Sequence, residues 1–168
     1  QKEKDSLLLV QDASQDVDQD DFATAEKKYL AALKADAKNK DAYKGLANVY
    51  YEQGQKQEAK ETYKFVLQLD HDDEEVHMKL GEMAEEEGKI EEAVEHYQQA
   101  VILNPHNPQR FTKIYDLLFG IEEYETALEA IEQALELEPQ NPKYLDNFVE
   151  TSIIIGRKDL AEEGIQRL

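Results

Sequence analysis

The 168-residue chain carries 38 acidic against 19 basic side chains, a formal net charge of −19. A surface this acidic repels phosphate backbones and anionic membranes, so nucleic acid and membrane insertion are not expected, and basic peptides or basic patches of other proteins are the favoured partners. The absence of cysteine removes disulfides, thiolate chemistry and cysteine-based zinc sites.

From the N-terminus, residues 7–10 form the first apolar run, LLLV, and with residues 153–155 it is far too short to span a bilayer. A helix is expected here, short, irregular or frayed. A strict 34-residue step back from the next helix of its kind would place Asp12 and Asp16 at core positions. A shift of two residues would use Leu7 and Val10 instead, with the surplus taken up around residues 14–20. Residues 16–27, DVDQDDFATAEK, look like a calcium loop, but Asp21 stands where the sharp turn needs glycine and Lys27 where the last, bidentate ligand belongs. The reading preferred is a solvated loop in which Asp20 or Asp21 caps the following helix.

From there on the chain repeats every 34 residues. Ala25, Ala59, Ala93, Ala127 and Ala161 share one register, followed four residues later by Tyr29, Tyr63, Tyr97, Ile131 and Ile165, and then by Ala32, Val66, Ala100, Ala134 and Leu168. Small, large and small residues at i, i+4 and i+7 describe a helix packed closely along its alanine face. A partner helix precedes each copy, with Tyr43, His77, Phe111 and Leu145 at one apolar site and Leu46, Leu80, Ile114 and Phe148 at the next. Gly54, Gly88 and Gly156 fall between the paired helices, where a turn needs positive φ. Pro105 and Pro139 follow the second helices, and Pro108 and Pro142 open the next first helices.

Residues 71–77, HDDEEVH, hold metal-type side chains without a ligand spacing. His71 takes a turn position, His77 the aromatic site, and the intervening acids suit a helix N-terminus. No P-loop, nucleophile elbow, HExxH or dinucleotide fingerprint occurs. The expectation is a non-enzyme with no cofactor and no metal.

The stretches YKGLANVY (43–50), followed by Ala59, Tyr63 and Val66, and HMKLGEMA (77–84), followed by Ala93, Tyr97, Ala100 and Pro105, resemble the tetratricopeptide repeat. The resemblance implies an all-α fold, a right-handed α-solenoid of stacked helix–turn–helix repeats. A single domain is expected over residues 1–168, with a degenerate repeat at about 6–39, then 40–73, 74–107, 108–141 and a truncated 142–168. The start at Gln1 suggests a fragment or processed form. At the other end Leu160, Ile165 and Leu168 lack a polar cap, so either the natural protein continues or that edge packs on another chain.

The resemblance also implies that first helices line a concave wall where ligands bind. Carried onto this sequence, the partner-binding positions are Lys44, Asn48 and Tyr51, then Met78, Lys79, Glu82 and Glu85, then Gln109, Thr112, Lys113, Asp116 and Phe119, and finally Glu150 and Ile153. The expected function is a non-catalytic interaction module or scaffold that binds a basic, partly hydrophobic partner segment in the groove. Two alternatives are self-association through the terminal repeats, giving a homo-oligomer, and a carboxylate clamp for acidic C-terminal tails. For the clamp, Lys44 and Asn48 match the family's residues, whereas Lys79 and Gln109 depart and Lys113 lacks a guanidinium fork. The sequence leaves the compartment open, with the cytoplasm favoured.

Overall fold

The computed structural model describes residues 1–168 and consists of ten α-helices, without strands. The chain divides into two compact units, Gln1–Leu80 and Gly81–Leu168. The first holds α1 (Lys2–Asp18), α2 (Phe22–Ala35), α3 (Lys40–Glu52), α4 (Lys56–Leu69) and the start of α5 (Glu74–Glu86). The second holds the rest of α5 with α6 (Ile90–Leu103), α7 (Pro108–Gly120), α8 (Tyr124–Leu137), α9 (Pro142–Ile154) and α10 (Lys158–Arg167).

Two devices start the helices, and both follow the 34-residue step. Helices α3, α5, α7 and α9 begin at side-chain caps: Asn39, Asp73, Asn107 and Asn141 accept hydrogen bonds from Ala42 N (3.1 Å), Val76 N (3.1 Å), Gln109 N (3.1 Å) and Lys143 N (3.1 Å). Each satisfies an amide that the first helical turn leaves without a partner. Helices α4, α6, α8 and α10 have no such side-chain cap. They follow a residue with left-handed backbone two positions before the helix: Gly54 (φ 81°), Gly88 (φ 73°), Glu122 (φ 64°) and Gly156 (φ 76°). Asp20 (φ 59°) does the same before α2, where Asp21 adds a cap to Thr24 N (3.2 Å).

Each unit buries its own core. In the first, Ala13 of α1 joins Ala25, Tyr29 and Ala32 of α2 and Ala42, Leu46 and Val49 of α3. In the second, the buried side chains include Tyr97, Ile114, Ile131, Leu145 and Phe148. Alanines 25, 59, 93 and 127 are fully buried and Ala161 nearly so. An alanine face brings helix backbones together and allows the large residue one turn on to interlock with the neighbour.

The expectations for the first helix change. Helix α1 is the longest of the ten, at 17 residues, and the loop after it is confined to residues 19–21. The two-residue shift does not occur: Leu7 is exposed, while Ser6 and Ala13 are buried and Leu9, Val10 and Val17 pack beside them. Polar residues serve this interface because they are partnered. Ser6 Oγ donates to the Ala32 carbonyl (2.9 Å) and accepts from Asn39 Nδ2 (2.8 Å), and Asp16 pairs with Lys28 (2.6 Å). At the other end Ile165 and Leu168 are 56% and 59% exposed, although their counterparts one repeat earlier, Ile131 and Ala134, are fully buried. His77 is buried at the aromatic site, its Nε2 lying 3.1 Å from the His71 carbonyl oxygen.

Candidate functional site

The positions carried over for partner binding lie on α3, α5, α7 and α9. In the first unit, Lys44, Asn48 and Tyr51 of α3 and Met78 and Lys79 of α5 are all partly buried. Lys44 is held within the chain, with Nζ 3.3 Å from Asp73 Oδ2 and an ion pair to Glu75. Lys40 extends the cluster, its Nζ 2.7 Å from Asp70 Oδ2 and 3.2 Å from Asp73 Oδ2. Burial pushes the Asp73 carboxyl up, but the Val76 amide and the two lysines outweigh it and hold the group below its ordinary value. Tyr51 carries Lys56 Nζ over its ring, 5.5 Å from the centroid, a cation–π contact.

In the second unit, Glu85 is the junction. Its Oε1 accepts from Lys113 Nζ (2.8 Å) and its Oε2 from the Tyr97 hydroxyl (2.9 Å). Burial, with the hydrogen bond to Glu85 and the charges of Glu85, Glu82 and Glu86, drives the Tyr97 phenol far up, so it stays a donor. Helix α7 is tied to α9 by Tyr115, whose hydroxyl lies 2.9 Å from Thr151 Oγ1 and donates to the Asn147 carbonyl (3.4 Å). Lys113 and Tyr115 thus align the end of α5 with α7 and α9. Glu82, Gln109, Asp116, Glu150 and Ile153 are exposed, Ile153 to 62%. Thr112 spends its hydroxyl on the Gln109 carbonyl (2.9 Å). Phe119 packs between Tyr115 and Tyr124, at centroid distances of 5.5 and 5.1 Å, as part of an aromatic ladder.

The carried-over set therefore divides by chemistry. Lys44, Glu85, Lys113 and Phe119 bind helices to one another, while Asp116, Glu150 and Ile153 present themselves to solvent. Sequence reasoning missed Asp73 and Tyr97, which hold Lys44 and Glu85, and Lys40 and Asp70, which extend the cluster around Asp73. The signal available was the register of Asn39, Asp73, Asn107 and Asn141, in which only Asp73 is charged. No group of His, Asp or Glu side chains is arranged to hold a metal ion. No helix is long and apolar enough to cross a membrane.

Three tetratricopeptide-repeat family models match the chain, over residues 16–83, 74–107 and 116–141. No curated protein sequence matches it. Among solved structures, MamA protein superposes with a TM-score of 0.74 at 21% identity, over 98% of this chain and 90% of that one. YrrB, described as a TPR protein with an unusual peptide-binding site, gives 0.72 at 21% identity, over 97% and 84%. A tetratricopeptide repeat protein from Parabacteroides merdae gives 0.75 at 20% identity, over 97% and 65%. Likeness at these identities shows the fold, an all-α solenoid class built of helix–turn–helix repeats. With the three matched segments, the chain belongs to the tetratricopeptide repeat family.

Proposed function

We propose that the chain is a non-catalytic scaffold for protein interaction, and that the α5–α7–α9 side of its second unit takes a basic, partly hydrophobic segment of a partner. The family and fold support the scaffold role. The observation that carries the finer reading is the exposure of Glu82, Asp116 and Glu150 on these aligned helices, beside the exposed apolar side chain of Ile153. Carboxylates so placed steer a cationic segment, and an apolar group beside them gives it an anchor. The acidic-tail clamp is disfavoured, because Lys44 and Lys113 already have carboxylate partners within the chain.

The test is an array of immobilised peptides probed with the intact chain. Captured peptides should be net basic and carry aromatic or aliphatic residues, and their retention should weaken as salt screens the charges. The triple variant Glu82→Gln, Asp116→Asn, Glu150→Gln should lose most of them. Capture of acidic peptides, or retention indifferent to both salt and the variant, rejects the reading.

A second reading has its own support. Ile153, Ile154, Ile165 and Leu168 are each between 45% and 62% exposed at the C-terminal end of the second unit. Pairing of this edge with another copy would bury them. Sedimentation at rising concentration decides: a strict monomer rejects self-association, and a dimer abolished by Ile165→Asp supports it.

A further inference from the structure

A groove recurs on the chain at positions related by the 34-residue step, apart from the side proposed above. Between α6, α7 and α8 it has a volume of about 390 Å³ and is lined by Val101, Phe111, Ile114, Leu118, Glu129 and Gln133 among others. One repeat later, between α8, α9 and α10, a groove of about 510 Å³ is lined by Leu135, Pro139, Phe148, Glu163 and Arg167. Glu163 follows Glu129 by 34 residues, Phe148 follows Ile114, Leu135 follows Val101, and Arg167 follows Gln133. In the first unit, a groove of about 310 Å³ along α3 and α4 uses the same positions, with Leu46, Glu61 and Phe65.

What differs is the residue at the place of Arg167. In the last groove that arginine stays within the wall: Nη2 donates to the Pro139 carbonyl (2.7 Å) and Nη1 lies 3.9 Å from Glu163. In the first-unit groove the place is taken by Phe65, whose ring meets Tyr43 edge-on at 4.8 Å. In the middle groove it is Gln133, neutral and exposed, while the carboxylate at Glu129 and the apolar wall are kept. Glu132, which also lines this groove, has its carboxyl pushed up by burial and by the charges of Glu129, Glu163 and Glu136. Arg157 acts against this shift but is outweighed, so the surroundings of Glu132 are predominantly acidic.

We infer that the α6–α7–α8 groove is a docking site for an arginine side chain of a partner protein, the guanidinium facing Glu129 and the aliphatic stem lying along Phe111, Ile114 and Leu118. The occupant is chosen by charge complementarity and by the chain's own precedent, since Arg167 sits in the sister groove against the matching glutamate. Arginine fits better than lysine because its fork donates to a carboxylate and a backbone carbonyl together, and its weakly hydrated plane tolerates an apolar wall. This site is independent of the proposal for Glu82, Asp116 and Glu150.

The test titrates Nα-benzoyl-arginine amide into the intact, isotope-labelled chain and follows amide and methyl resonances, with the citrulline analogue as an uncharged control. Saturable shifts should centre on Phe111, Ile114, Glu129 and Gln133. The citrulline probe, and Glu129→Gln with the arginine probe, should bind at least about tenfold more weakly, the effect of losing a charge-assisted hydrogen bond. Gln133→Arg should abolish the shifts by filling the groove from within, and an unchanged circular dichroism spectrum and melting temperature would show that it folds. The triple variant at Glu82, Asp116 and Glu150 should bind the probe as wild type does. The inference is overturned by equal response to both probes, by shifts centred on Asp116 or Glu150, by no saturable shift at all, or by binding retained in a folded Gln133→Arg.

Discussion

A β-carbon built on Gly81 of α5 would lie 2.6 Å from Cε1 of Tyr97 on α6, closer than any real contact of that kind. The Tyr97 ring cannot retreat, because its residue is 1% exposed and its hydroxyl is bound to Glu85. Gly81→Ala sets two effects against each other. Alanine favours a helix by about 1 kcal/mol over glycine, whereas overpacking a fitted interface costs about 1–3 kcal/mol. With the backbone this close, the clash decides the sign. Chemical denaturation should show Gly81→Ala destabilised by about 1–2 kcal/mol. At Gly120, where an added β-carbon meets nothing within 4 Å, the same substitution should be neutral or gain up to about 1 kcal/mol.

Glu122 offers the converse experiment. It holds a left-handed backbone (φ 64°) at the place where Gly54, Gly88 and Gly156 stand in other repeats. A side chain in that region costs about 1–2 kcal/mol, which glycine avoids, and part of the gain returns as unfolded-chain entropy. Glu122→Gly should therefore stabilise by about 0.5–1 kcal/mol in thermal melts. Asp20→Gly should do less, because aspartate enters this region more readily. A destabilised Glu122→Gly would count against the turn geometry.

These cases show where the sequence could be read and where it could not. Side-chain volume leaves a mark at fixed intervals, so the alanine face at 25, 59, 93, 127 and 161 was legible and is buried throughout. The turn glycines were legible as well, but Asp20 and Glu122 were not, because glutamate gives no sign of positive φ and aspartate only a weak one. Their 34-residue register alone pointed to it. Helix α1 was misread because its fully buried positions are Ser6 and Ala13, with Leu9, Val10 and Val17 only partly buried beside them, and a hydroxyl bonded to a carbonyl on another helix has no periodic signature. The positions carried over for binding failed to separate Lys44 and Glu85 from Asp116 for a related reason. Whether a charge is spent within the chain depends on which helix lies beside it.

Asp73 makes a pH-dependent contribution whose sign is fixed by its surroundings. Its carboxyl sits below the ordinary value, burial being outweighed by the Val76 amide and by Lys40 and Lys44. A depressed carboxyl stabilises the folded chain fully above the unfolded value, about 3.9, and the contribution fades as pH falls through the folded value. Asparagine caps the corresponding turns at 39, 107 and 141, so Asp73→Asn keeps the cap and removes the charge. At neutral pH it should cost about 1 kcal/mol, the scale of a partly exposed ion pair. Below about pH 4 the difference from wild type should shrink in melting experiments. A gap that stays constant across that range would show that the charge of Asp73 does not support the fold.

Glu85 and Asp116 were drawn from the same carried-over set, and the structure gives them opposite duties. Glu85 accepts from Tyr97 and Lys113, while Asp116 is exposed on α7. Glu85→Ala leaves a buried phenol without its acceptor, a loss of about 1–3 kcal/mol. Glu85→Gln keeps an acceptor for Tyr97 and forfeits only the ion pair with the partly exposed Lys113, at most about 1 kcal/mol. Asp116→Asn should lie within about 0.5 kcal/mol of wild type, as surface changes do. The three melting curves should fall in that order, with Glu85→Ala lowest. Binding then separates from folding: in the peptide array, Asp116→Asn should weaken capture of basic segments with no loss of stability. If instead Asp116→Asn melts as low as Glu85→Ala, that aspartate is part of the framework and cannot be assigned to partner steering.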